Sequence, residues 1–372
     1  MERWNYSRAD FDHSPMIVFY ETTRACDLMC RHCRADAQRE CDPGELSTAR
    51  ARRLIEQLAS FPRKPLLVLT GGDPMKREDV FELVGHAVAA GLEVAMTPSA
   101  TPLVTREAVR RLKDAGLHRL AVSLDGADAE THDGFRRVAG SFRRTLEIMA
   151  DARECGLPLQ VNTTVGKHNI HQLEDVADLL RSQGIVLWSV FFLVPTGRGE
   201  SEERIAPGEY EMTFERLRRQ AARQPYAIKT TEAPHYRRYL MERARGGEQA
   251  GRVGAFSGRA MNAPARPSVG TNDGKGVMFI SHTGEIYPSG FLPISCGKFP
   301  LDSVVRVYRE SAVFRALRDS DQLSGKCGDC EFRNLCGGSR ARAYAVTGDP
   351  LAAEPDCVYV PLKLRRREAV GA

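Results

Sequence analysis

The sequence predicts an α/β fold: a partial (β/α)6 barrel, open rather than closed, followed by a small C-terminal unit of different character. Three observations carry this. Between residues 16 and 195, short apolar runs rich in β-branched residues alternate with helix-period segments. After Pro195 that alternation is expected to stop. Seven of the ten cysteines fall into two groups, three at 26–33 and four at 327–357, one near each end of the chain.

Residues 16–23 read as the first strand. Ser47 is a candidate N-cap for a helix over 47–60, because its hydroxyl accepts from the free amides of the first turn. A short apolar strand at 66–70 ends at Gly71-Gly72. Helix 78–90, strand 92–97, helix 106–115, strand 119–124, helix 141–154, strand 159–165, helix 172–182 and strand 185–194 complete the series. Six strands, each but the last followed by a helix, call for parallel pairing through right-handed crossovers. Six units fall short of the eight that close a barrel, and ligands in such a fold gather at the C-terminal ends of the strands. Beyond Pro195 the sequence predicts a helix over 207–223. Residues 246–276, rich in Gly, Arg and Ala without period, read as a linker or mobile lid. A hairpin at 278–288 turns at 282–284, and short helices follow at 301–308 and 312–318. The expected divisions are a core at 14–198, a helical and flexible bridge at 199–276 and a C-terminal unit at 277–372.

With 372 residues, 42% of them hydrophobic, the chain has enough apolar surface for a sizeable core. Its longest apolar run, 185–194, is too short to span a bilayer, and residues 1–10 hold no apolar secretory segment. The expectation is therefore a cytoplasmic protein with no membrane partner. A net charge of +5, spread along the chain, gives no basic patch for nucleic acid. In a reducing compartment, clustered thiols point to metal or redox chemistry rather than to disulfides.

Cys26, Cys30 and Cys33 form a C-x3-C-x2-C segment directly after the first strand. Three thiolates on one loop can hold three irons of a 4Fe-4S cluster and leave the fourth open. Zinc is the rival, but a structural zinc wants four closed ligands, and His32 between Arg31 and Cys33 makes an awkward fourth. Cys327, Cys330 and Cys336 form C-x2-C-x5-C, with Cys357 after twenty intervening residues. Four thiolates can close a zinc site or fully ligate a 4Fe-4S cluster, and spacing alone leaves both open.

The first segment, with His32 where an aromatic residue precedes the last cysteine, resembles the signature of radical S-adenosylmethionine (SAM) enzymes. The resemblance spans residues 14–195. Gly71-Gly72-Asp73-Pro74 is similar to the family's GGEP turn, which binds the ammonium of the methionyl moiety, with Asp73 one methylene shorter than the usual Glu. Ser123, in Val122-Ser123-Leu124-Asp125-Gly126, matches a serine that touches the cofactor. Arg136 matches an arginine that pairs with the cofactor carboxylate, Asn162 stands on the fifth strand, and Val194 is among the apolar residues expected to pack the adenine. The resemblance implies a SAM-binding 4Fe-4S cluster fed by an external donor such as flavodoxin or ferredoxin. Reductive cleavage of SAM then gives a 5′-deoxyadenosyl radical that abstracts a substrate hydrogen. The second cysteine group resembles the SPASM or twitch extension, which makes the C-terminal unit a small iron-sulfur domain. A full SPASM domain has seven cysteines and two clusters. Here Ser289 stands where longer versions carry cysteine, so one auxiliary 4Fe-4S cluster on Cys327, Cys330, Cys336 and Cys357 is expected, with the geometry of Cys296 unfixed.

For substrate, the hairpin with a single C-terminal cluster looks most like the branch that includes heme b synthases of the alternative heme pathway. That branch oxidatively removes tetrapyrrole propionates. Arg237, Arg238, Arg243 and Arg245, with His235, are candidates for a rim that meets carboxylates. The alternative is a SPASM-type maturase of a ribosomally made peptide, although a first strand near residue 16 leaves no room for a fused leader-binding domain. An alternative of another class is a non-catalytic regulatory protein with two zinc sites.

Overall fold

A computed structural model describes residues 6–245 and 270–371. Its ten strands are β1 Ile17–Thr23, β2 Leu66–Gly71, β3 Glu93–Met96, β4 Arg119–Ser123, β5 Leu159–Val165, β6 Leu187–Phe192, β7 Ala227–Thr231, β8 Val277–Ile280, β9 Glu285–Tyr287 and β10 Gly297–Lys298. The helices are α1 Arg8–His13, α2 Thr48–Ala59, α3 Val80–Ala89, α4 Arg106–Asp114, α5 Ala129–Arg136, α6 Ser141–Glu154, α7 Leu173–Arg181, α8 Pro207–Arg223 and α9 His235–Arg245. They continue as α10 Val304–Glu310, α11 Ala312–Arg318, α12 Gly325–Gly328, α13 Arg340–Thr347 and α14 Leu362–Gly371.

All strands belong to one sheet of order β10-β9-β8-β1-β2-β3-β4-β5-β6-β7. From β8 across to β7 every pairing is parallel, and β8-β9-β10 is antiparallel. The result is the partial barrel expected from the repeated strand–helix pattern. Among the described residues no helix is long and apolar enough to cross a membrane.

Local chemistry fixes the elements. Ser47 Oγ accepts from Arg50 N at 3.4 Å to start α2, and Thr105 Oγ1 accepts from Ala108 N at 3.1 Å to start α4. Helix α2 buries Ala51, Leu54, Ile55 and Leu58, the i, i+3, i+4, i+7 stripe of an amphipathic helix. That stripe meets Val18, Tyr20, Leu67 and Leu69 from the convex face of the sheet in one core. Each such side chain contributes about 1.5–3 kcal/mol on full burial. On β5 the burial alternates: Leu159, Val161, Thr163 and Val165 are buried, while Gln160, Asn162 and Thr164 remain half-buried on the concave face.

Two expectations are corrected. The alternation does not stop at Pro195. Helix α8 crosses to β7, which extends the parallel sheet from Leu187↔Ala227 to Phe191↔Thr231. This strand, Ala-Ile-Lys-Thr-Thr, holds only two apolar residues, because it lies at the sheet edge and half of it faces the lumen. The hairpin at 278–288 forms as expected, but its first strand also pairs in parallel with β1, Ile17↔Val277 to Tyr20↔Ile280. The C-terminal unit thus continues the sheet of the barrel. The expected linker at 246–276 lies outside the described residues up to 269.

Candidate active site

Strand β1 ends at the loop that carries the first three cysteines. Cys26 N donates to Gln38 O (2.6 Å) and Gln38 N to Arg24 O (3.1 Å), closing the loop on itself. Cys26 and Cys30 are buried and Cys33 half-buried. Backbone amides face the sulfurs: Leu28 N lies 3.4 Å from Cys26 Sγ and Ala37 N 3.4 Å from Cys33 Sγ. Burial pushes the Cys26 thiol up to about 11 and raises that of Cys30. Such thiols become thiolates only when bound positive charge compensates them, which is what a metal centre supplies.

Gly71, Gly72, Ser123 and Arg136 line one cleft of about 470 Å³, open to solvent, with Leu28, Ser99 and His132. The glycines are required by a close approach of chain to chain. A Cβ on Gly71 (φ 145°) would lie 2.2 Å from Thr23 O, and one on Gly72 2.4 Å from Ala25 O. Gly72 N and Asp73 N donate to those carbonyls at 2.8 and 2.7 Å, so the turn after β2 is locked to the backbone just ahead of Cys26.

The acidic residue of that turn faces away from the role expected of it. Asp73 is fully buried, accepting from Thr101 Oγ1 (2.7 Å), Met75 N (3.1 Å) and Ser99 N (3.3 Å), and burial raises its pKa. Its carboxylate holds the loop, while the turn's glycines face the cleft. Arg136 closes α5 and gives Nε and Nη2 to Asp125 Oδ2 at 2.7 and 2.5 Å, with Nη1 3.6 Å from Cys30 Sγ. Burial alone would push Asp125 up, but Arg136 and Thr164 N bring it down to about 2. The guanidinium therefore stays charged beside Cys30 and at the cleft.

Asn162 is the cross-strand neighbour of Ser123 and accepts from Gln160 Nε2 at 2.7 Å. Val194 is elsewhere, packed with Leu292, Leu317 and Ala341 against the C-terminal unit. The His32 ring stacks on Phe135 at 4.2 Å, and Phe135 on His168 at 3.8 Å. Burial lowers His32 to about 3, so this ring is neutral. Sequence reading missed Ser99, whose Oγ lies 3.3 Å from Cys26 Sγ, and the roles of Asp125 and His132. Ser99 follows β3 at a strand's C-terminal end, the signal that would have found it. His132 Nδ1 accepts from Asp125 N (3.0 Å), which puts the ring proton on Nε2, facing Ser141 Oγ at 3.2 Å.

The second cysteine group lines a narrow cleft, also open to solvent, with His235, Arg238, Lys326 and Glu354. Gly338 N lies 3.4 Å from Cys336 Sγ and Glu354 N 3.3 Å from Cys327 Sγ. Arg342, fully buried, pairs with Glu354 (3.1 Å) and Asp356 (3.2 Å) and donates to Glu232 O at 2.7 Å. This pins the segment before Cys357 to the end of β7.

The arginines expected at a substrate rim are committed elsewhere. Arg238 is buried and paired with Glu211 and Glu242, Arg237 Nη1 donates to Thr271 O (2.8 Å), and Arg243 Nε to Tyr239 Oη (3.1 Å). Helix α9 lies against α8 and the second cysteine group, and its cations serve that packing. The Arg245 side chain lies outside the described residues. Cys296 packs half-buried on the main core, with Sγ 3.4 Å from Ile294 O, and lines neither cleft.

Among the described residues no three Cys, His, Asp or Glu side chains converge as the ligands of a single ion. A cluster binds each thiolate to a different iron, over a wider space than zinc with its bonds of about 2.3 Å. The four C-terminal thiols line one cleft, and backbone N–H groups face sulfur in both groups, so the residues present would suit an iron–sulfur cluster at each place.

Comparison with known proteins agrees with this geometry. Residues 20–180 match the model of the Radical SAM superfamily. The chain is 39% identical over 351 residues to the AdoMet-dependent heme synthase of Methanosarcina barkeri, covering 94% of this chain and 98% of that one. It is 40% identical over 359 residues to the AdoMet-dependent heme synthase of Nitratidesulfovibrio vulgaris, covering 95% of each. Among solved structures, Streptococcus suis SuiB shares the fold at a TM-score of 0.72 and 16% identity, over 93% of this chain and 78% of its own. An open three-cysteine loop, a glycine turn locked against it and a match along the whole chain lead to one conclusion: the chain belongs to the radical SAM enzymes, which work through a 4Fe-4S cluster and S-adenosylmethionine.

Proposed function

We infer that this enzyme oxidatively decarboxylates propionate side chains of a tetrapyrrole. The observation that carries the reading is end-to-end similarity, at 39–40% identity, to relatives named heme synthases. The concave face of the sheet supports it. Phe19 and Phe191 stand half-buried there, opposite in alternation to the core residues Val18 and Val190, with Lys229 on the same face. Phe291 faces Phe191 at 6.3 Å, and Arg34 lies over the Phe279 ring at 4.5 Å. Aromatic surface suits a flat macrocycle, while Arg34 is itself paired with Glu21 at 2.8 Å and so belongs to the wall of that surface.

The cluster and cofactor, when bound, supply the hydrogen-abstracting radical. Cys26, Cys30 and Cys33 would hold the cluster, leaving one iron for the cofactor. Gly71 and Gly72 offer backbone at the cleft, Ser123 a hydroxyl, and Arg136 a charge for a carboxylate. Neutral His32 and Phe135 shield the loop from water. Loss of one hydrogen atom from a propionate, then of carbon dioxide and one electron, leaves a vinyl group. That electron needs an acceptor. A second 4Fe-4S cluster on Cys327, Cys330, Cys336 and Cys357, fully ligated by protein, is the proposed one. The proposed donor to the first cluster is an external carrier of the flavodoxin or ferredoxin type.

The test is anaerobic turnover of reconstituted enzyme with SAM, a reductant and iron-coproporphyrin. The expected result is a Soret shift on binding and a product lighter by one carbon dioxide and two hydrogens per propionate. Uncoupled SAM cleavage with no Soret response, together with turnover of a leader-bearing peptide, would establish the maturase reading instead.

A further inference from the structure

His235 opens helix α9 and is 1% exposed, yet neither ring nitrogen has a hydrogen-bond partner. It lines the same cleft as all four C-terminal cysteines. Tyr210 and Phe214 pack it from outside, with ring centroids 5.1 and 4.9 Å away. An imidazole always carries at least one N–H, and leaving such a donor buried and unmet costs about 1–3 kcal/mol.

The other polar groups of the cleft do not answer it. Arg238 and Lys326 are donors only. The Glu354 carboxylate is taken by Ser339 N (2.6 Å), Asp356 N (3.1 Å) and both contacts from Arg342. Tyr359 Oη is bonded to Glu331. As the ring stands, no oxygen and no cysteine sulfur of the cleft accepts from it, so its acceptor would come with a group held among the four sulfurs. Four cysteines already match the four irons of a closed cluster, so the ring is not needed as a ligand.

We propose that His235 is a positioning residue that donates its ring N–H to a sulfur of the iron–sulfur group held by Cys327, Cys330, Cys336 and Cys357. This rests on the reading that those cysteines hold a second 4Fe-4S cluster. Hydrogen bonds to the sulfurs stabilise the more negative, reduced state and so raise a cluster's reduction potential. His235 thereby makes the second cluster a better electron acceptor, the property that oxidative decarboxylation requires of it.

The experiment uses the full chain with Cys26, Cys30 and Cys33 replaced by Ala, so that only the C-terminal site is observed. Iron, sulfide and zinc are counted, and the midpoint potential is read by an EPR-monitored redox titration. In this background His235→Phe, which fills the aromatic niche without a donor, should keep the iron and lower the midpoint. His235→Gln, which restores an N–H, should recover part of the shift. An unchanged midpoint in His235→Phe at full iron content overturns the proposal, as does equal loss of iron in both variants, which would make the ring a ligand or a packing element. A background protein without iron, or with zinc alone, overturns the second-cluster reading itself and the proposal with it.

Discussion

The two cysteine groups are built to opposite plans. The first has three thiols on a loop beside a solvent-open cleft, with Arg136 against Cys30 Sγ and Arg198 on Cys30 O. The second has four thiols with Arg238 and Lys326 lining their cleft and Arg340 4.0 Å from Cys327 Sγ. The first is fastened largely through backbone, by Gly72 N to Thr23 O and Asp73 N to Ala25 O, with Arg198 donating to Cys30 O and Ala37 O at 3.0 Å each. The second is fastened by buried charge, through Arg342, Glu354 and Asp356. On the proposed reading, in which the first group binds the cofactor and the second passes electrons, the contrast has a reason. A site that binds a cofactor needs a free position and room, whereas a site that only passes electrons needs closure, a fixed environment and positive charge to stabilise its reduced form.

The largest stability effect should come from the charged fastening. Arg342→Ala leaves Glu354, 1% exposed, without its ion-pair partner, at a cost of about 3–5 kcal/mol. The melting temperature should fall, and iron should be lost from the second group first. Equal loss of both sets of iron would show that the two fastenings are not independent.

Gly72→Ala attacks the other fastening. Its Cβ would sit 2.4 Å from Ala25 O, and relief of such overpacking costs about 1–3 kcal/mol. SAM cleavage should drop with iron lost from the first group alone, as read by EPR and iron analysis.

Acid should loosen the first region as well. Burial opposes the charged form of both Asp125 and Glu21, but Arg136 beside the one and Arg34 with His282 beside the other bring each down to about 2. Carboxylates depressed in the folded state stabilise it fully above their ordinary values of about 4. That stability should fade as pH falls from about 4 towards 2, measured by near-UV circular dichroism. Asp125→Asn should flatten the slope; an unchanged slope would mean that this pair does not set it. The smallest effect belongs to Cys296→Ala, which should leave iron content unchanged, since Cys296 lines neither cleft.

Much of this was legible in the sequence, for physical reasons. The six core strands carry apolar residues at regular alternation with amphipathic helices, and the thiol spacing is local. Strand β7 was hidden because an edge strand with a lumen-facing side needs few apolar residues. The pairing of β8 with β1 joins residues 17 and 277, and such a contact leaves no local trace. Gly71, Gly72, Ser123 and Arg136 do meet at one cleft. The orientation of Asp73 was not legible, because Thr101 and Ser99, which capture it, lie on another loop. The arginines of α9 misled for a similar reason, their partners Glu211 and Thr271 lying on other elements.

On the proposed reading one cysteine group is an open, cofactor-binding site and the other is closed by four protein thiolates. The most direct measurement is made on the Cys26, Cys30 and Cys33 to Ala variant, reconstituted anaerobically, with iron, EPR and 5′-deoxyadenosine followed together. The expected result is about half the wild-type iron, one remaining cluster whose EPR signal does not respond to added SAM, and no 5′-deoxyadenosine. Continued formation of 5′-deoxyadenosine, or a SAM-dependent change in the remaining signal, would contradict it.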